Sequence, residues 1–218
     1  MIKPLIIANW KCNPKSIEES KILFKEIKEN VFNKNVVICP PSIFISSLIC
    51  EGVIFGAQDC SLKNEGSFTG EISAQMIKSI GCEYVIIGHS ERRRIFKEDN
   101  QQIKMKIDQA LKAKLKPIVC IGEDTENTFD FLKEQIKDID ENIILAYEPI
   151  WAIGTGNSAS LDKVKEVKEF LGKRKVLYGG SVNSQNFKQY LSVMDGLLIG
   201  GASLDSKEFN NILCDINF

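Results

Sequence analysis

The chain has 218 residues, 44% of them hydrophobic, and a formal net charge of −1. That size buries one sizeable core without a second domain, and the balanced charge argues against a nucleic-acid surface. No apolar run reaches the roughly 18 residues needed to cross a bilayer. The N-terminal stretch MIKPLIIANWK carries no signal-peptide cleavage pattern, and its apolar run ends at Asn9, so a strand starts almost at once. Short β-branched runs then recur at nearly even spacing: PLIIAN (4–9), VVICP (36–40), VIFGAQ (53–58), YVIIGH (84–89), PIVCIG (117–122), IILAYE (143–148), VLYGGS (176–181) and GLLIGG (196–201). Each is continuously apolar rather than alternating, which predicts strands buried on both faces of a parallel sheet. Amphipathic helical patterns fill the gaps. Ile103, Ile107, Ala110 and Leu111 form one apolar face with Lys104, Lys106 and Lys112 elsewhere; Phe129, Leu132, Ile136 and Ile139 form another, and Leu161, Val164, Val167 and Leu171 a third. Eight strand–helix cycles without a linker predict a single (β/α)8 barrel over 1–218, with an open doubly wound sheet as the alternative.

The cysteines number seven, in no C-x-x-C spacing, and several sit inside apolar strand-like runs. They read as small buried hydrophobes of a reducing compartment, so the protein is expected in the cytoplasm. With one histidine and no paired-ligand spacing, neither a metal nor another cofactor is expected.

In a parallel barrel the chemistry sits where the C-terminal ends of the strands meet the following loops. The first strand ends in Asn9-Trp10-Lys11, the fourth in Gly88-His89-Ser90-Glu91, the sixth in Tyr147-Glu148-Pro149, and the last two in Gly179-Gly180-Ser181 and Gly200-Gly201. Glu148 directly follows an apolar run, where desolvation raises a carboxyl pKa and suits it to general-base work. Ser90 reads as the cap of a helix whose N-terminus keeps His89, the only histidine, neutral and able to donate a hydrogen bond. Lys11 adds a fixed positive charge, and the glycine pairs let backbone N–H groups approach a phosphate. Any one of these is weak evidence: a lone histidine is more often structural, and Gly-Gly after a strand is usually a turn. Together they suit proton abstraction beside a carbonyl.

The motifs NWK at 9–11, FTGEIS at 68–73, GHSERR at 88–93, CIGE at 120–123, AYEPIWAIGTG at 146–156, YGGSV at 178–182 and GGASL at 200–204 resemble the triosephosphate isomerase family, in its order and over essentially the whole chain. The resemblance implies interconversion of dihydroxyacetone phosphate and D-glyceraldehyde 3-phosphate through an enediolate, a step of glycolysis and gluconeogenesis. It implies that Glu148 is the catalytic base, His89 the neutral electrophile, and Lys11 the lysine that holds substrate beside Asn9. It implies a phosphate cradle of Gly154, Ser181, Gly200 and Gly201. The family is a standard illustration of a glutamate base and a neutral histidine working under a closing loop. Residues 149–156 match that loop, Glu91 matches a glutamate near the lysine, and Arg92 and Arg93 match the family's arginine pair, while Arg94 reads as solvated. The family further implies a homodimer in which the loop at 58–71 reaches into the partner, with Thr69 supporting the partner's site.

The chain departs from the family in three ways. It is short, with residues missing between CIGE and IILAYE and between Leu171 and VLYGG. Cys12 stands where methionine is usual, near the expected interface. Asp59 replaces an asparagine and is expected to alter how the 58–71 loop is held. Three rival readings stand beside the resemblance. GTGNSA at 154–159 fits a dinucleotide-binding pattern, but EPIWAI separates it from the preceding strand, and VLYGG lacks an acidic end for ribose. A non-catalytic phosphate-binding barrel leaves Glu148 and His89 without a task. An isomerase of another sugar phosphate is the third.

Overall fold

The computed structural model describes residues 3–123, 128–152, 158–216 and 218. All eight apolar runs are strands: β1 Leu5–Asn9, β2 Val36–Cys39, β3 Ile54–Ala57, β4 Tyr84–Ile87, β5 Lys116–Ile121, β6 Ile144–Tyr147, β7 Val176–Tyr178 and β8 Gly196–Ile199. They pair in parallel in chain order, and β8 closes on β1, so the sheet is a barrel and not the open alternative. The seam depends on a glycine. Leu5 pairs with Gly196, and a Cβ at 196 would lie 1.9 Å from the Leu5 carbonyl oxygen.

The helices are α1 Ile17–Val31, α2 Ser42–Leu48, α3 Ala74–Ser79, α4 Ser90–Ile95, α5 Asn100–Lys112, α6 Thr128–Ile136, α7 Leu161–Leu171, α8 Phe187–Leu191 and α9 Ser206–Cys214. Local chemistry sets several starts. Ser16, Ser73, Ser160 and Asp205 accept backbone N–H groups of the first turn, and Asp99 with Gln102 forms a full capping box. The shortening is visible: α6 has 9 residues, and only 172–175 separate α7 from β7.

Two apolar layers follow from strand alternation. Leu5, Ile7, Val37, Cys39, Tyr84, Ile86, Ile118, Cys120, Ala146, Leu177 and Leu198 fill the barrel interior. Their neighbours, such as Ile6, Ala8, Val36, Ile38, Val85 and Ile87, face the helices in a larger layer. Counting on by two from the inner set reaches Asn9, Gly88, Gly122, Glu148, Gly179 and Gly200. The period that fills the barrel therefore also sets which residues line its C-terminal mouth.

One apolar stripe is misread from sequence. Leu111 is 47% exposed, whereas Lys106, assigned to the solvated side, is 4% exposed. The reason is ionic. Lys106 Nζ lies 2.6 Å from both Asp59 Oδ2 and Glu98 Oε1, and Arg92 Nε lies 2.8 Å and 2.6 Å from the same two atoms. This cluster is how Asp59 holds the start of the 58–71 segment. Burial raises the Asp59 carboxyl above its ordinary value, and Lys106 and Arg92 only partly offset it.

Candidate active site

A cavity of about 430 Å³ opens at the C-terminal mouth of the barrel, lined by Asn9, Lys11, His89, Glu148, Ser181, Gly200 and Gly201 among others. The fold thus gathers every candidate residue except Gly154, which lies outside the described residues together with the rest of 153–157. Of the segment expected to close over the site, Ile150–Ala152 forms a 3-10 turn.

Lys11 is fixed along its length. Its backbone adopts a left-handed φ of 54°, unusual for a residue with a side chain. Asn9 Oδ1 accepts its N–H at 3.0 Å, and Gln58 Nε2 donates to its carbonyl at 2.8 Å. The side chain then passes over Gly200, where a Cβ would lie 3.2 Å from Lys11 Cε, and ends 2.6 Å from Glu91 Oε1. Gln58 was not singled out from sequence; its only signal is its place at the end of a strand.

His89, rather than Ser90, is the N-cap of α4. Its Nδ1 accepts the Glu91 N–H at 3.2 Å, so in this arrangement the proton sits on Nε2, which lies 2.9 Å from Glu148 Oε1. The other carboxylate oxygen of Glu148 accepts the Ser90 N–H at 2.9 Å. Glu148 is 2% exposed. Burial pushes its pKa up, but His89, the Ser90 N–H and Lys11 outweigh burial and hold it below the ordinary 4.5, against the expected upward shift. Burial likewise opposes a charged His89, but the Glu148 carboxylate, and Glu91 to a lesser degree, carry its pKa above 6.5. A helix N-terminus alone predicts the opposite sign; the carboxylate partner is what sequence could not supply.

Two close approaches shape the pocket further. A Cβ at Gly179 would lie 3.0 Å from Glu148 Cγ, so this glycine leaves room for the carboxylate stem. Ser203, also unanticipated, donates its hydroxyl to the Gly200 carbonyl at 2.7 Å and pins the turn that carries Gly201. Arg93 donates to the carbonyls of Gly88 at 2.9 Å and Cys120 at 3.1 Å, tying the ends of β4 and β5 together behind the site. Cys12 is exposed, and Arg94 is solvated, as expected.

A model of the family described as triosephosphate isomerase matches residues 4–216. The chain belongs to the triosephosphate isomerase family. The triosephosphate isomerase of Aquifex aeolicus is 40% identical over 244 aligned positions, covering 97% of this chain and 99% of that protein. That of Dictyoglomus turgidum is 39% identical over 247 positions, covering 98% and 99%. Both alignments exceed the chain's 218 residues, so they carry gaps in this chain. A crystal structure of triosephosphate isomerase from Bartonella henselae superposes with a TM-score of 0.83 at 33% identity, covering 98% of each chain. As a member of this family, the protein is an enzyme that interconverts dihydroxyacetone phosphate and D-glyceraldehyde 3-phosphate. The dinucleotide-binding, non-catalytic and other-sugar readings fall away.

Proposed function

We propose that Glu148 is the base of this isomerisation, His89 the proton donor to oxygen and Lys11 the electrostatic anchor. The observation that carries the reading is the 2.9 Å contact between His89 Nε2 and Glu148 Oε1 in the cavity that Lys11 also lines. Both carboxylate oxygens are engaged, by His89 and by the Ser90 N–H. Substrate entering between them frees the carboxylate to take a proton from the carbon beside the carbonyl. The C–H electron pair forms the carbon–carbon double bond, and the carbonyl pair moves onto oxygen. Lys11 Nζ and the Nε2–H of His89 stabilise that oxygen where charge develops. In its neutral form, with Nδ1 accepting a backbone N–H, His89 donates from Nε2 a proton that can be returned from the other oxygen. Glu148 then delivers its proton to the neighbouring carbon.

The phosphate is assigned to backbone at Gly200 and Gly201, with Ser181 and, by family resemblance, Gly154. Open space where a Cβ would stand at Gly201 supports the assignment. We further take residues 1–218 as one barrel domain working in the cytoplasm as a step of glycolysis and gluconeogenesis. All seven cysteines being free is consistent with a reducing compartment. Among the described residues no helix is long and apolar enough to cross a membrane. The working form is a homodimer built on the 58–71 segment. Glu148→Asp tests the base assignment. Shortening the side chain withdraws the carboxylate by about one bond, and a displacement of about 1 Å costs about 10²-fold. A coupled assay with glyceraldehyde 3-phosphate should read that loss with an unchanged melting temperature, and wild-type turnover would refute the assignment.

A further inference from the structure

The backbone of Glu148 is held by residues just beyond β5. The Ile121 carbonyl accepts the Glu148 N–H at 2.7 Å, and the Glu123 carbonyl accepts the Ile150 N–H at 3.0 Å. By strand alternation the N–H and C=O of the intervening Gly122 point the other way, to the side where β4 has already ended at Ile87. Buried backbone groups need partners there. The carboxamide of Gln135, on α6, supplies both: its Oε1 accepts the Gly122 N–H at 2.9 Å, and its Nε2 donates to the Gly122 carbonyl at 3.0 Å. One buried side chain thus takes the place of a neighbouring strand.

Gly122 in turn rests directly on the base. A Cβ there would lie 1.8 Å from the Glu148 carbonyl oxygen, so the two backbones touch without slack. A shift of Gly122 is passed to Glu148. We propose that Gln135 is a positioning residue for Glu148, acting through Gly122 to set where the carboxylate stands; this rests on the reading of Glu148 as the base. It also gives α6 a task beyond packing, because this short helix must place the amide.

The test uses the full-length enzyme, well below its melting temperature, with Gln135→Leu and Gln135→Glu. Gln135→Leu removes both bonds. It should lower kcat by about 10- to 10²-fold, the scale of sub-ångström to ångström misplacement. KM for glyceraldehyde 3-phosphate and inhibition by inorganic phosphate should stay within about twofold, since Ser181, Gly200 and Gly201 follow β7 and β8, whereas Gln135 acts on the end of β5. Gln135→Glu adds a chemical readout. A carboxylate cannot donate to the Gly122 carbonyl, whereas the protonated acid restores both bonds. Its kcat relative to wild type should therefore recover as pH falls, while the Gln135→Leu ratio stays flat. Unchanged kcat in Gln135→Leu overturns the proposal. So does an equal loss of turnover and phosphate affinity, which signals general collapse, or a flat pH ratio in Gln135→Glu. Full activity in a Glu148→Gln control overturns the base assignment itself and the proposal with it, and that result is distinct from the other three.

Discussion

Glu148 and His89 stabilise each other's charged forms, and this has consequences in solution before any substrate binds. His89 is the only imidazole in the chain, so its titration can be followed directly by NMR. Its midpoint in the free protein is expected above 6.5, and to drop in Glu148→Gln, where burial and Lys11 act without the opposing carboxylate. A midpoint that does not move contradicts the pairing. Stability follows with a definite sign. Glu148 titrates below 4.5 in the fold, so its contribution is present above that value and is lost as pH falls through the folded pKa. His89 titrates above 6.5, so its contribution is present below that value and is lost as pH rises through the folded pKa. Both operate together from about pH 4.5 to pH 6.5. The difference in melting temperature between wild type and Glu148→Gln should be widest there and narrow on either side.

Among elements, the one that most constrains the site is the short helix α4. Its six residues carry His89 as cap at one end and Arg92 in the ionic cluster with Asp59, Glu98 and Lys106. The loop leaving β3 is gripped from both sides. Gln58 holds the Lys11 carbonyl, and its neighbour Asp59 holds α4 and α5 through Arg92 and Lys106. Lys106→Met would leave two largely buried carboxylates with Arg92 alone. Removing one partner of a buried ionic network costs about 3–5 kcal/mol. Urea denaturation of Lys106→Met should show that loss, and a change near zero would mean the cluster is effectively solvent-screened. The helical period of α5 pointed Lys106 outward, because a pattern of residue types registers an apolar stripe but not two carboxylates arriving from other elements. The same limit hid Gln135, which sits in the helix bearing the apolar residues Leu132 and Ile136 and gives no signal apart from the strand it serves.

For the whole molecule, residues 63–72 project as an exposed segment that joins β3 to α3 without helix or strand. Its base is pinched by the Ser61 N–H donating to the Ile72 carbonyl at 2.9 Å. It carries Phe68 at 44% exposure, and Ile43, Met76, Ile95 and Phe96 are exposed on elements at or near the barrel mouth. A contiguous exposed apolar patch marks an association surface, and these residues are the ones the proposed homodimer would cover. Deleting residues 62–67 should yield a monomer by light scattering with much reduced turnover, since Thr69 would no longer reach a partner's site. A native protein that is monomeric and fully active at assay concentration would contradict the dimer.

Eight strands, their parallel order and the mouth residues Asn9, Lys11, His89, Glu148, Ser181, Gly200 and Gly201 were legible in the sequence. Their signals are local: an apolar run announces a doubly buried strand, and chemistry in a barrel collects at strand ends. What needed tertiary structure was anything depending on two segments meeting. The closure of β8 on β1 rests on Gly196 clearing the Leu5 carbonyl. The cap of α4 fell on His89, the buried charge on Lys106, and the grip on Gly122 on Gln135. The pKa directions of Glu148 and His89 reversed for the same reason. Burial can be inferred from a residue's own neighbours in the chain, but the opposing charge comes from a partner 59 positions away and is set only when the barrel closes.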